Sequence, residues 1–141
     1  MDLKSKNIKT INEKDFNKVL KHYKFNTNDA KALKSIKDIT QKYTSELLKG
    51  FYDFIFEFDH AKMFLHNNEI LKRHEIGIKD WYLSLFCGKY DKTYFEKLNL
   101  ISEIHVRIGL PAHYVNAAFS YVRGFVKDIL LKEKEFTSLT A

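Results

Sequence analysis

Six histidines are the most versatile side chains in this sequence: His22, His60, His66, His74, His105 and His113. An imidazole can ligate a metal, move a proton or change charge near neutral pH. No two of them stand at a convincing zinc spacing, and no His-Glu-x-x-His run occurs. A single cysteine, Cys87, makes a structural zinc site improbable and leaves no internal disulfide to form. There is no nucleophile elbow and no phosphate loop. His105 stands apart because Tyr94, Leu98, Ile101, His105 and Ile108 follow one another at steps of four, three, four and three. A neutral imidazole on such an apolar stripe must satisfy its ring nitrogens. Two answers are open. One is a core histidine bonded to a carbonyl; the other is an axial ligand with one nitrogen on iron and the second on a carbonyl or side chain.

The elements that would carry these residues are all helical. Five glycines and one proline leave little punctuation, and Lys, Leu, Ile and Glu abound. A short helix is expected over 12–22, after a loose polar start at 1–9. Thr27-Asn28-Asp29 reads as an N-cap cluster leading into Ala32, Leu33, Ile36 and Ile39. A following helix bears Leu47, Leu48, Phe51, Tyr52, Phe54, Ile55 and Phe58, with only a small bend between the two. After an irregular stretch to Asn67-Asn68, Asn68 caps a long helix with Ile70, His74, Gly77, Ile78, Trp81 and Leu85, closed by Cys87-Gly88. Asp91 opens the helix of His105, and Gly109-Leu110-Pro111 stops it and starts the last one. That last helix has two apolar stripes, Tyr114-Ala118-Tyr121-Phe125 and Val115-Phe119-Val122-Val126-Ile129. One stripe suits the chain's own core, and a second suggests a partner.

Bulk composition narrows the function classes. The 141 residues fit one domain, and twelve Phe with eight Tyr supply ample material for a core. A net charge of +6 comes from scattered lysines without an Arg-rich block, so a solvated surface is favoured over a nucleic-acid footprint. No run approaches the roughly 20 apolar residues of a membrane span. The first ten residues lack the apolar stretch of a signal peptide. A cytoplasmic protein is expected, with Cys87 as an inert core thiol.

The segment Ile101-Ser102-Glu103-Ile104-His105-Val106-Arg107-Ile108-Gly109-Leu110-Pro111 resembles the proximal-histidine motif of the globin-coupled sensor and protoglobin family. There a helix ends in Ile-x-x-x-His-x-Arg-Ile-Gly-Leu and an aromatic-rich helix follows. Phe51-Tyr52-Asp53 is similar to the family's distal Phe-Tyr motif, and the 53-position step from Tyr52 to His105 fits it too. Gly88, Asp91, Tyr94, Phe95 and Glu96 match the stretch before the proximal helix. The resemblance covers about residues 28 to 130.

This resemblance implies an all-α, globin-like sensor fold that binds haem b (iron protoporphyrin IX). His105 would be the proximal ligand, with Tyr114 bonded near it. Tyr52 would donate to bound dioxygen. Gly77 and Trp81 would line the pocket with His74, which would assist Tyr52 or coordinate iron when no gas is bound. His74 and Gly77 depart from the family, where Leu and Thr or Ser are usual at those positions. The implied division is an N-terminal extension over 1–27, the haem domain over 28–133 and a frayed tail over 134–141. The family's further long final helix is expected to be missing, with a homodimer through the last helix as the remedy. The implied function is sensing of oxygen or another diatomic gas, passed to an output domain, without enzymatic activity in this chain. The rivals are an oxygen-storing, dioxygenase or peroxidase globin and a haem-free helical interaction domain.

Overall fold

The computed structural model describes residues 12–140, with side chains through residue 134. The expected loose start at 1–9 lies outside the described residues. Eight helices follow one another among them: α1 (Glu13–His22), α2 (Thr27–Ser35), α3 (Lys37–Lys42), α4 (Thr44–Ile55), α5 (Ala61–Phe64), α6 (Asn68–Ser84), α7 (Lys92–Arg107) and α8 (Ala112–Thr140). No strand occurs among the described residues.

Local chemistry sets the boundaries. Asn26 and Asp29 form a reciprocal capping box, so α2 is capped one residue earlier than the Thr27-Asn28-Asp29 cluster suggested. Asn67, not Asn68, caps α6 by accepting from the Ile70 N–H at 2.8 Å. Asp91 caps α7 through the Tyr94 N–H at 3.0 Å, as expected. Gly88 and Gly109 stand at φ 79° and 74°, the left-handed region that lets the chain leave one helix and turn toward the next.

The small bend expected between the early helices is instead two interruptions, at Ile36 and Tyr43. At both, the N–H reaches back only three residues, to Leu33 O and Thr40 O, each at 3.3 Å. Thr40 and Thr44 turn their hydroxyls onto carbonyls of the preceding turn, a competition with the helical ladder that bends helices.

The core lies where α4, α6 and α8 meet. Leu47, Phe51, Tyr82, Phe86 and Val122 are buried together, with Leu33 and Ile36 packed against them. The Tyr82 hydroxyl donates to the Thr40 carbonyl at 2.8 Å, joining α6 to α3. Lys42 and Tyr43 both reach Glu133 of α8, at 3.1 and 2.9 Å. Gly50 is required where α4 crosses α8: a Cβ there would lie 2.0 Å from the Tyr121 hydroxyl.

Three expectations need correction. Residues 134–140 are not a frayed tail, because α8 runs on to Thr140 through Lys132, Glu133, Lys134 and Glu135, residue types that favour helix. The second stripe of α8 is not simply a face for a partner, since Val122 and Ile129 are buried within this chain and Phe119 is the member left exposed. Cys87 is exposed rather than a core thiol, its sulfhydryl turned to the Lys89 carbonyl in the turn after α6.

Candidate functional site

α4 and α6 pack against each other and bring Tyr52 and His74 together. The Tyr52 hydroxyl lies 2.8 Å from His74 Nδ1. His74 is gripped on two sides: the Phe51 ring stacks on it at 6.3 Å and 27°, and the Tyr52 ring meets it edge-on at 5.8 Å and 68°. Burial holds the His74 imidazole below the ordinary histidine value, and a charge on His105 would lower it further. Burial also pushes the Tyr52 phenol well up, with Glu75 adding to the shift. Both groups are therefore neutral near pH 7, and the His74 ring is turned toward Phe51 and Tyr52.

His105 stands on α7, a helix with no buried residue. Its ring is half-buried, burial holds its pKa below the usual histidine value, and it makes no hydrogen bond among the described residues. A neutral imidazole of this kind has a lone pair to offer. One turn to either side on the same face, Ile101 and Ile108 are 38% and 49% exposed. That face is apolar, carries a single nitrogen donor group and has nothing packed tightly over it.

The remaining expected residues divide. Trp81 is half-buried on α6 and packs on Phe119 of α8 at 5.6 Å between ring centres. Gly77 is exposed, and a Cβ added there would meet nothing within 4 Å. Tyr114 departs from its expected partner: its hydroxyl meets Nδ1 of His60, not His105. The Phe58 ring against Tyr114 explains this, since it seats the first turn of α8 beside the turn after α4. His60 was not singled out from the sequence, because nothing in its polar surroundings marks it.

A cavity of about 590 Å³ lies between α1, α2, α6, α7 and α8 and is lined by Phe16, Leu33, Trp81, Leu98, Phe119 and Val126 among others. Tyr52, His74 and His105 do not line it. Its lining includes Tyr94 and Leu98 from the His105 stripe of α7, and Trp81 and Leu85, which follow His74 along the sequence.

These residues fit a flat, largely apolar group that carries an iron. They supply a neutral imidazole free of hydrogen-bond partners on α7, uncovered apolar residues beside it, and a second imidazole held by Tyr52 on α6. Among the described residues no cluster of three or more His, Cys, Asp or Glu side chains could hold a metal ion directly.

Comparison with known proteins gives the same direction. The Protoglobin family matches residues 12–140. The chain is similar to the globin domain of the Geobacter sulfurreducens globin-coupled sensor, with 34% identity and a TM-score of 0.77. That match covers 82% of this chain and 76% of the other. No curated protein matches the chain.

Proposed function

The chain belongs to the Protoglobin family, and from that premise we propose that it is a haem-binding globin domain that senses dioxygen or another diatomic gas. The carrying observation is His105: a half-buried, neutral imidazole without a hydrogen-bond partner, set between two uncovered isoleucines.

His105 would hold the iron of haem b from the α7 side. When bound, the haem would supply the iron to which a diatomic gas binds. On the opposite side, the Tyr52–His74 pair provides the polar contact in an otherwise aromatic setting formed by Phe51, Phe56 and Trp81. A hydrogen-bond donor in a dry pocket favours a ligand that gathers negative charge, which selects dioxygen over carbon monoxide. His74 has a second use open to it, as an iron ligand while no gas is bound. Ile101, Ile108 and Trp81 would cover the macrocycle and exclude water, and Gly77 leaves room beside α6.

Signalling would run through the helices that the haem touches. α7 is lightly packed in this chain, so ligand-dependent shifts of His105 would move it at little cost. α8 would carry the change onward, because it packs on α4 and extends past Glu133 to Thr140. A homodimer through α8 and an output domain that reads it complete the proposal, with exposed Phe119 and Leu131 as dimer contacts. Binding rather than turnover is the proposed role, in a cytoplasmic setting. No helix of the described residues is long and apolar enough to cross a membrane.

The test is an absorption spectrum recorded on the haem-loaded, reduced protein under cycles of oxygen addition and removal. A sensor gives two spectra that interconvert reversibly. Steady oxygen consumption with added substrate would contradict the binding role and point to an enzyme.

A further inference from the structure

Tyr52 and His74 are joined by one hydrogen bond, and a neutral imidazole carries one ring proton. Two arrangements satisfy the 2.8 Å contact. In the first, the phenol donates to Nδ1 and the ring proton sits on Nε2. In the second, Nδ1 carries the proton and donates to the phenolic oxygen, which turns its own proton elsewhere. In either case the pair has one proton left to present outward, and the two residues cannot both donate to the same ligand.

The first arrangement is chemically favoured. A phenol is a stronger donor than a neutral imidazole N–H, and an imidazole nitrogen is a stronger acceptor than a phenolic oxygen. The ring cannot simply flip to exchange its nitrogens, because Phe51, only 2% exposed, stacks on one face and Tyr52 abuts its edge. Burial keeps both partners neutral, so a proton remains on the phenol to be given.

We propose that Tyr52 donates to His74 Nδ1 and fixes His74 as the Nε2–H tautomer, making His74 the group that offers a proton to a diatomic ligand. Tyr52 is then a positioning residue, not the direct donor that its place in the sequence suggests. A second consequence concerns the iron. Nε2 with a proton attached has no lone pair for a metal, so the Tyr52 hydroxyl also keeps His74 off the iron. The two uses of His74 are thereby ranked: hydrogen bonding with Tyr52 in place, coordination when the hydroxyl is gone. The tautomer follows from this chain's own residues, and its use toward a gas rests on the haem reading.

The experiment is histidine-selective 15N NMR of the full chain, haem-free and in the diamagnetic ferrous carbon monoxide form. The expected result is a His74 ring with Nδ1 unprotonated and Nε2 protonated in both, and a mixed tautomer pattern in Tyr52→Phe. In the ferric haem-loaded protein, Tyr52→Phe should raise the six-coordinate low-spin fraction several-fold. That gain should vanish in Tyr52→Phe combined with His74→Leu. A packing role for Tyr52 would move neither readout. A protonated Nδ1 in the wild type overturns the proposal, as does an unchanged tautomer in Tyr52→Phe. A chain that takes up no haem overturns the reading of the site, while the haem-free NMR still decides the tautomer.

Discussion

The α4–α6–α8 side of the molecule and the α7 side are built to different standards. On the first, Leu47, Phe51 and Tyr82 are sealed from solvent, with at most 2% exposure, and Tyr82 is bonded across to Thr40. Burial pushes the Tyr82 phenol up to about 12, so it stays a donor throughout the working pH range. On the second, α7 buries no residue and leaves Leu100, Ile101, Ile104, Val106 and Ile108 exposed. A chain that closes one side to this degree has not run out of apolar residues for the other. The first side folds on its own contacts, whereas the second leaves apolar surface uncovered where the proposed haem would sit.

The largest expected effect is on the closed side. Leu47→Ala removes a fully buried side chain from a packed core and should cost about 2–5 kcal/mol in a denaturant melt. The matching change on α7, Ile101→Ala, should stay within about 0.5 kcal/mol in the haem-free chain and weaken haem retention in the loaded one. Equal losses at the two positions would break the contrast.

Two glycines sharpen it with a single chemistry. Gly50→Ala forces the new methyl into the Tyr121 hydroxyl, whose ring is stacked on Phe54 at 5.3 Å, and should cost about 1–3 kcal/mol. Gly77→Ala meets nothing and sits inside α6, so it should stabilise the haem-free chain by about 0.5–1 kcal/mol. Thermal melts of both variants read the opposite signs directly.

The smallest effect is a pH slope. His74 and His105 both have folded-state values below 6.5 because burial opposes their charged forms. As pH falls through 6.5 the unfolded chain takes up protons that the folded chain refuses. Stability should therefore be constant above that point with respect to these groups and decline below it, down to the lowered values. His74→Gln should flatten the slope in melting temperature over that window; an unchanged slope would show that His74 is not held neutral.

Much of this was legible in the sequence, and the gaps have physical causes. The steps of three and four that put Tyr94, Leu98, Ile101, His105 and Ile108 on one face survive folding, because a long helix preserves its own periodicity. The caps Asn12, Asn26, Asn67 and Asp91 are local hydrogen bonds, so helix starts were found to within a residue or two. The breaks at Ile36 and Tyr43 were not, since threonine hydroxyls that turn back onto carbonyls leave no pattern of hydrophobicity. The Tyr52–His74 bond was anticipated only as a shared pocket; which nitrogen faces the phenol depends on the crossing of α4 and α6. The His60–Tyr114 contact joins two positions 54 residues apart, and neither spacing nor composition announces it.

The central claim is that His105 holds the iron of a haem. The most direct measurement is titration of the purified chain with haem, followed by absorption in the Soret region, for the wild type and for His105→Ala. The account predicts a sharp Soret band that saturates at one haem per chain and is abolished in His105→Ala. A featureless wild-type spectrum, or a band that His105→Ala leaves intact, would contradict it and favour a haem-free helical interaction domain in the first case and a different ligand in the second.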